Sequence, residues 1–230
     1  KTLFETAELC ILDKPALTLT VPSRMGRSDP RPCLGIALQE TLQCPVYPVH
    51  RLDFEVSGLV VFAKTPETHR ILNRWFEQHR VKKEYEARTA GTPPQALGLQ
   101  TWTSKLVRGK KRTFEAPYGQ EALTHAECLG PDEKGHLRWR LWPQTGRPHQ
   151  LRVELAKREF PILGDRLYGS TEDWPPGGIA LRAVALDFKD CPEATSLGLP
   201  EQLRLEGFEK LAPGKDSNLD KLVQSQLSYH

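Results

Sequence analysis

The longest uninterrupted apolar run in the chain is Leu59 to Ala63, five residues at the end of the stretch Ser57–Ala63. A run of that length is strand-sized, far short of the ~18 apolar residues that a membrane-spanning helix requires. It is followed by Thr65-Pro66-Glu67, which supplies an N-cap, a proline for the first helical position and an early acid. The pair predicts a buried strand feeding a helix. Ile71, Leu72, Trp75 and Phe76 recur at helical spacing while Arg70, Arg74 and Arg80 fall on other faces, so the helix should end near Arg80.

Strand patterns recur downstream. Lys83 to Ala90 alternates, and Leu137, Trp139 and Leu141 alternate with Arg138 and Arg140. After Gly146-Arg147-Pro148, a segment to Lys157 with Leu151, Leu155 and Ala156 suits a short helix with the proline near its start. Several strands are joined by connections too short for parallel crossovers. The pattern therefore predicts an α+β fold, a mixed and mostly antiparallel central sheet with flanking helices and loops. Loops rich in Pro and Gly fall at Pro22–Pro32, Gly91–Leu97 and Pro175–Gly178, and none divides two self-sufficient halves. One domain over residues 1–212 is expected, with a polar tail over 213–230 and no separate N-terminal domain.

Charged residues make up 27% of the chain and the formal net charge is only +3, which suits a globular protein and argues against wholesale disorder. The five cysteines are odd in number and widely spaced, with no C-x-x-C pair, so neither a disulfide framework nor a zinc site is indicated. Reduced thiols in the cytoplasm are the expectation, with a monomer as the default state. No secretory signal is visible at the start. The basic residues are clustered: KLVRGKKR, residues 105–112, carries Lys105, Arg108, Lys110, Lys111 and Arg112 with no acid, and its glycine suggests a turn or hairpin tip. A solvated loop and a phosphate-contacting strip are both open to it.

Two further segments carry sharper chemistry. In Pro48–Leu59, PVHRLDFEVSGL, a histidine, an arginine and an aspartate precede the apolar strand. In Gln144–Leu155, QTGRPHQLRVEL, a basic loop enters the short helix, and PILGDRLYG follows at 161–169. Together, in this order, they resemble the RluA-like family of RNA pseudouridine synthases. HRLDFEVSGL has Val56 where the family usually has threonine, and GRPHQLRVELA departs at Pro148 and Glu154. Lys83-Glu84-Tyr85 matches the family's K-x-Y segment and Asp13-Lys14-Pro15 its early lysine-proline motif. Ile179–Phe188 is similar to its last strand, with Arg182 where histidine is common.

The resemblance implies an isomerase that breaks the N1–C1′ bond of a uridine, turns the base and rejoins it through C5, with no cofactor and no metal. It implies Asp53 as the catalytic carboxylate, Arg152 as the guanidinium that orients it, and Tyr85 as a ring stacked on the uracil with a hydroxyl placed to take part in removing the C5 proton. Attack on C1′, addition to the base and assistance through the ribose are all open to such a carboxylate. Leu151 matches an apolar position beside the site. The nucleotide has to be flipped out of its stack, and Arg51 matches a position near the displaced bases. His50, Lys83 and Arg147 join the basic strip as expected substrate contacts, and His50 and His149 are also expected to hold loop backbone by hydrogen bonds.

A metal-dependent nuclease would need a ligand spacing that His50, His149 and the neighbouring acids do not offer. The stronger alternative is a non-catalytic RNA-binding or RNA-folding module on the same scaffold. The expected partner is RNA, a transfer RNA, a ribosomal RNA stem-loop or both, with no membrane and no small-molecule cofactor.

Overall fold

The computed structural model describes residues 1–94, 98–175 and 177–208. The strand expected at Ser57–Ala63 is β4, and its residues from Leu59 to Ala63 are completely buried. Alternation sends Val60 and Phe62 into one apolar cluster and Leu59, Val61 and Ala63 into another, so this strand carries a core on each face. The preceding strands are β1 (Thr2–Glu5), β2 (Leu9–Lys14) and the two-residue β3 (Tyr47–Pro48), with helix α1 (Leu34–Leu42) between β2 and β3. Helix α2 (Pro66–Glu77) begins as its cap predicts, the Thr65 hydroxyl accepting the Thr68 N–H at 3.2 Å. It closes at Glu77, three residues before Arg80, because the chain turns at His79 with φ +56°.

Then follow β5 (Lys82–Thr89), β6 (Gly98–Arg108), β7 (Thr113–Glu115), β8 (Gln120–Pro131), β9 (Leu137–Pro143), α3 (Gln150–Ala156), β10 (Leu181–Asp187) and β11 (Gln202–Arg204). They form one eleven-stranded sheet in the order β1-β2-β4-β10-β5-β9-β8-β6-β7, with β3 on β4 and β11 on β10. Among the named strands of the described residues, only β4 and β10 run parallel; the remaining pairs are antiparallel. The α+β expectation holds. The strand expected to be last, β10, is followed by β11, which pairs with its far end. The tail over 213–230 and residues 95–97 of the Gly91–Leu97 loop lie outside the described residues, as does Pro176.

The parallel pair explains one motif residue. Gly58 has φ +115°, and a Cβ there would stand 2.2 Å from the carbonyl oxygen of Ala183. Only glycine lets β4 and β10 approach so closely, five residues after Asp53 in the chain. Gly178, at φ +72°, is similar: a Cβ would meet the Glu55 carbonyl oxygen at 2.4 Å.

Candidate active site

Asp53 lies in the loop between β3 and β4, and that loop is held from below by buried polar groups. The Thr20 hydroxyl accepts the Leu52 N–H and donates to the Leu52 carbonyl, both at 3.1 Å. Lys14, completely buried at the end of β2, donates from Nζ to the carbonyls of Thr18 (2.7 Å), Pro15 (3.0 Å) and Phe54 (3.4 Å). Burial pushes the Lys14 pKa down to about 7, against the pull of Asp53, Glu55 and Asp13. The Asp53 carbonyl accepts the Val56 N–H at 3.2 Å, and the Ile179 N–H reaches the Glu55 carbonyl at 3.1 Å. The backbone on both sides of the carboxylate is thereby set.

Arg152, buried on α3, faces this loop. Its Nε and Nη2 form a two-pronged pair with buried Asp165, at 2.7 and 2.8 Å. With the fork saturated, Nη1 is directed at Asp53 Oδ2 and Glu55 Oε2, both at 3.3 Å. The guanidinium also lies over the Tyr168 ring, 5.2 Å from its centroid. Burial opposes the arginine's charge, and Asp165, Glu55 and Asp53 together outweigh it, holding its pKa above the ordinary value.

His149 stands beside Asp53, its Nε2 3.9 Å from Oδ2. The same Nε2 lies 3.0 Å from Arg108 Nη1, and Nδ1 lies 3.0 Å from the Tyr168 hydroxyl. A guanidinium can only donate, so Nε2 accepts and the proton sits on Nδ1. Burial lowers the His149 pKa and Asp53 partly offsets it, which agrees with a neutral ring. Tyr85, on β5, feels the same carboxylate: burial first, and Asp53 second, raise its pKa and keep the phenol protonated. The site thus combines two partly exposed carboxylates, Asp53 and Glu55, a buried guanidinium between them and Asp165, and a neutral phenol.

A family model described as RNA pseudouridylate synthase matches residues 8–157. The chain belongs to that family. It is 36% identical over 174 residues to a Bacillus subtilis protein named uncharacterized RNA pseudouridine synthase YhcT, covering 73% of this chain and 57% of that one. It is 34% identical over 180 residues to the dual-specificity RNA pseudouridine synthase RluA of Escherichia coli, covering 74% of this chain and 77% of the relative. These likenesses place it among the RluA-like members, and the enzyme class is an isomerase acting on RNA. In fold it resembles the structure titled human RNA pseudouridylate synthase domain containing 1, with a TM-score of 0.71 at 23% identity over 99% of this chain and 94% of that one.

Within this RluA-like framework the expected site residues fall into separate groups. Asp53, Arg152, Tyr85 and Leu151 come together, Leu151 buried in the cluster under the loop. Lys83 is half-buried one alternation from Tyr85, its pKa lowered by burial, and Arg147 is anchored by the Glu121 carbonyl (2.8 Å) and Gln120 Oε1 (3.0 Å). Arg51 is exposed at the loop surface. The strip KLVRGKKR is the hairpin between β6 and β7, closed by Gly109 N–H to the Arg112 carbonyl at 3.0 Å, and Lys110, Lys111 and Arg112 are exposed at its tip.

Two of the expected substrate contacts stand apart from the rest. His50 holds backbone: its Nε2 accepts the Val61 N–H at 3.1 Å and its ring stacks on Phe76 with centroids 4.6 Å apart. Burial pushes its pKa down to about 3, so it offers RNA no charge. This is the backbone-holding role, whereas His149 bonds side chains instead. Lys105 shares the exposed parity of Thr101 and Thr103 on β6, so it points away from the face where Arg108 meets His149.

Sequence reasoning missed Asp165, Glu55 and Tyr168, and gave Lys14 no part in the site. Asp165 and Tyr168 stood in the quoted PILGDRLYG turn, but their link to Arg152 exists only once that turn folds against α3. Glu55 lay two residues from Asp53. Among the described residues, no group of three or more His, Cys, Asp or Glu is placed to hold a metal, and no helix is long and apolar enough to cross a membrane.

Proposed function

We propose that the chain isomerises specific uridines of structured RNA, in a transfer RNA or ribosomal RNA stem-loop, to pseudouridine, with Asp53 as the catalytic carboxylate and the target nucleotide flipped out of its stack. The observation that carries this reading is the Arg152 fork. Asp165 holds two of its nitrogens, so the third presents a fixed positive charge to Asp53 and its neighbour Glu55. A carboxylate so oriented suits the charge that develops at C1′ as N1 departs. The base then turns, C5 bonds to C1′, and the C5 proton leaves; no oxidant or reductant enters the balance. Tyr85, protonated at rest, stacks on the uracil with its hydroxyl placed to relay the C5 proton as it leaves to water.

Flipping costs a few kcal/mol of stacking. In this reading Arg51, exposed on the Asp53 loop, braces the vacated space, while Lys83, Arg147, Arg108 and the hairpin tip contact the RNA backbone. The relative in Escherichia coli is named a dual-specificity enzyme, which supports keeping more than one RNA substrate open for this chain. The five free thiols suit a reducing cytoplasm, and we read residues 1–212 as one catalytic domain acting as a monomer. The test is release of tritium from total RNA labelled at uridine C5. Release with the RNA chain intact is expected; unreleased tritium across transfer and ribosomal RNA pools would sink the proposal.

A further inference from the structure

A groove of about 300 Å³ opens beside the site, lined by Leu106, Arg108, Tyr118, Gln120, Arg147 and Pro148 among others. We infer that this groove is a nucleobase platform, on which Tyr118 stacks an unpaired base of the RNA next to the flipped uridine. The inference rests on the proposed RNA reaction and deepens it by naming a subsite.

Tyr118 is 78% exposed, the most exposed large apolar side chain among the described residues. Nothing in the chain's own packing accounts for an aromatic ring there. Its presentation is nonetheless rigid. Pro117 and Tyr118 are the middle of a turn closed by the Gly119 N–H on the Ala116 carbonyl at 2.9 Å, and the Ala116 N–H bonds the Lys105 carbonyl at 2.9 Å. Gly119 presses so closely on β6 that a Cβ would stand 2.5 Å from the Lys105 carbonyl carbon. A ring on a stiff turn loses little entropy when a base stacks on it.

The rest of the groove matches the same ligand. Arg147 is oriented by Glu121 and Gln120 through Nε and Nη1, which keeps Nη2 for a phosphate or base edge. Arg108 also lines the groove and touches His149, whose Nε2 is 3.9 Å from Asp53 Oδ2. Two side chains in contact thus link the groove to the carboxylate. An aromatic face flanked by guanidiniums is the combination that binds single-stranded nucleic acid with little sequence preference. Placed here, it replaces a stacking partner that flipping removes from the neighbouring base.

The test compares wild type, Tyr118→Ala and Tyr118→Phe in two assays: anisotropy of a fluorescein-labelled decauridylate, and tritium release from C5-labelled total RNA. For Tyr118→Ala, Kd for the decauridylate and apparent KM should each rise about ten-fold with kcat unchanged, and Tyr118→Phe should behave as wild type. Wild-type affinity and KM in Tyr118→Ala would overturn the platform, as would a fall in kcat at constant KM or failure of phenylalanine to substitute. If wild type releases no tritium yet Tyr118→Ala still loses decauridylate affinity, the isomerase reading falls and the platform stands.

Discussion

The loop that carries Asp53 and the hairpin that carries Arg108 meet at His149, yet they are held by opposite means. The loop rests on buried polar groups, Lys14, Thr20 and the Arg152–Asp165 pair, whose bonds reach backbone and carboxylate alike. The hairpin tip is exposed and cationic, and its charges project into solvent. In the proposed function the difference separates chemistry from capture. A catalytic carboxylate has to be placed within a fraction of an ångström by neighbours that cannot move, whereas a phosphate-binding strip works through charge that tolerates motion.

The comparison can be broken first at Arg152. Arg152→Lys keeps the charge and removes the fork, so Asp165 is left buried without its two-pronged partner. Turnover should fall at least about 100-fold and unfolding free energy by about 1–3 kcal/mol, checked by tritium release and urea titration. A variant with wild-type kcat would show that the fork is not what positions Asp53.

Next is Lys14, whose pKa falls from its ordinary 10.5 to about 7 on burial. Between those values the unfolded chain binds the proton more tightly than the folded one, so stability rises with pH across that window. The lysine's burden is fully present below pH 7 and relieved above 10.5. Denaturant titrations from pH 6.5 to 9.5 should show this slope in wild type and lose it in Lys14→Met, a difference of a few kcal/mol. Equal slopes would contradict a buried, titrating lysine under the loop.

The smallest effect belongs to the hairpin. Replacing Lys110, Lys111 and Arg112 together with Gln should weaken RNA binding about ten-fold and flatten its salt dependence, while kcat and the thermal midpoint stay as in wild type. A loss of stability there would erase the contrast between the two regions.

Much of the frame was legible in the sequence, for reasons that can be named. The strand β4 showed as an apolar run and α2 as a cap, a proline and a helical period, all local signals. The longest strands, β6 and β8, did not show, because the inward alternation that should mark them is interrupted by Ser104 and Thr124. Helix α3 starts at Gln150, two residues after Pro148, because His149 takes a left-handed conformation at φ +52° that brings its ring to Asp53 and Tyr168. Asp53 and Arg152 were found through the family resemblance. Their support was not, since Lys14 reaches Phe54 across 40 residues and Asp165 reaches Arg152 only by the folding of a turn.

The most direct measurement sets wild type against Asp53→Ala in tritium release from C5-labelled RNA, with RNA affinity measured in parallel. Turnover should be abolished in the variant while affinity changes less than about three-fold, because capture rests mainly on the cationic hairpin and groove. Turnover in Asp53→Ala close to wild type would contradict the assignment of the chemistry to the carboxylate that Arg152 holds.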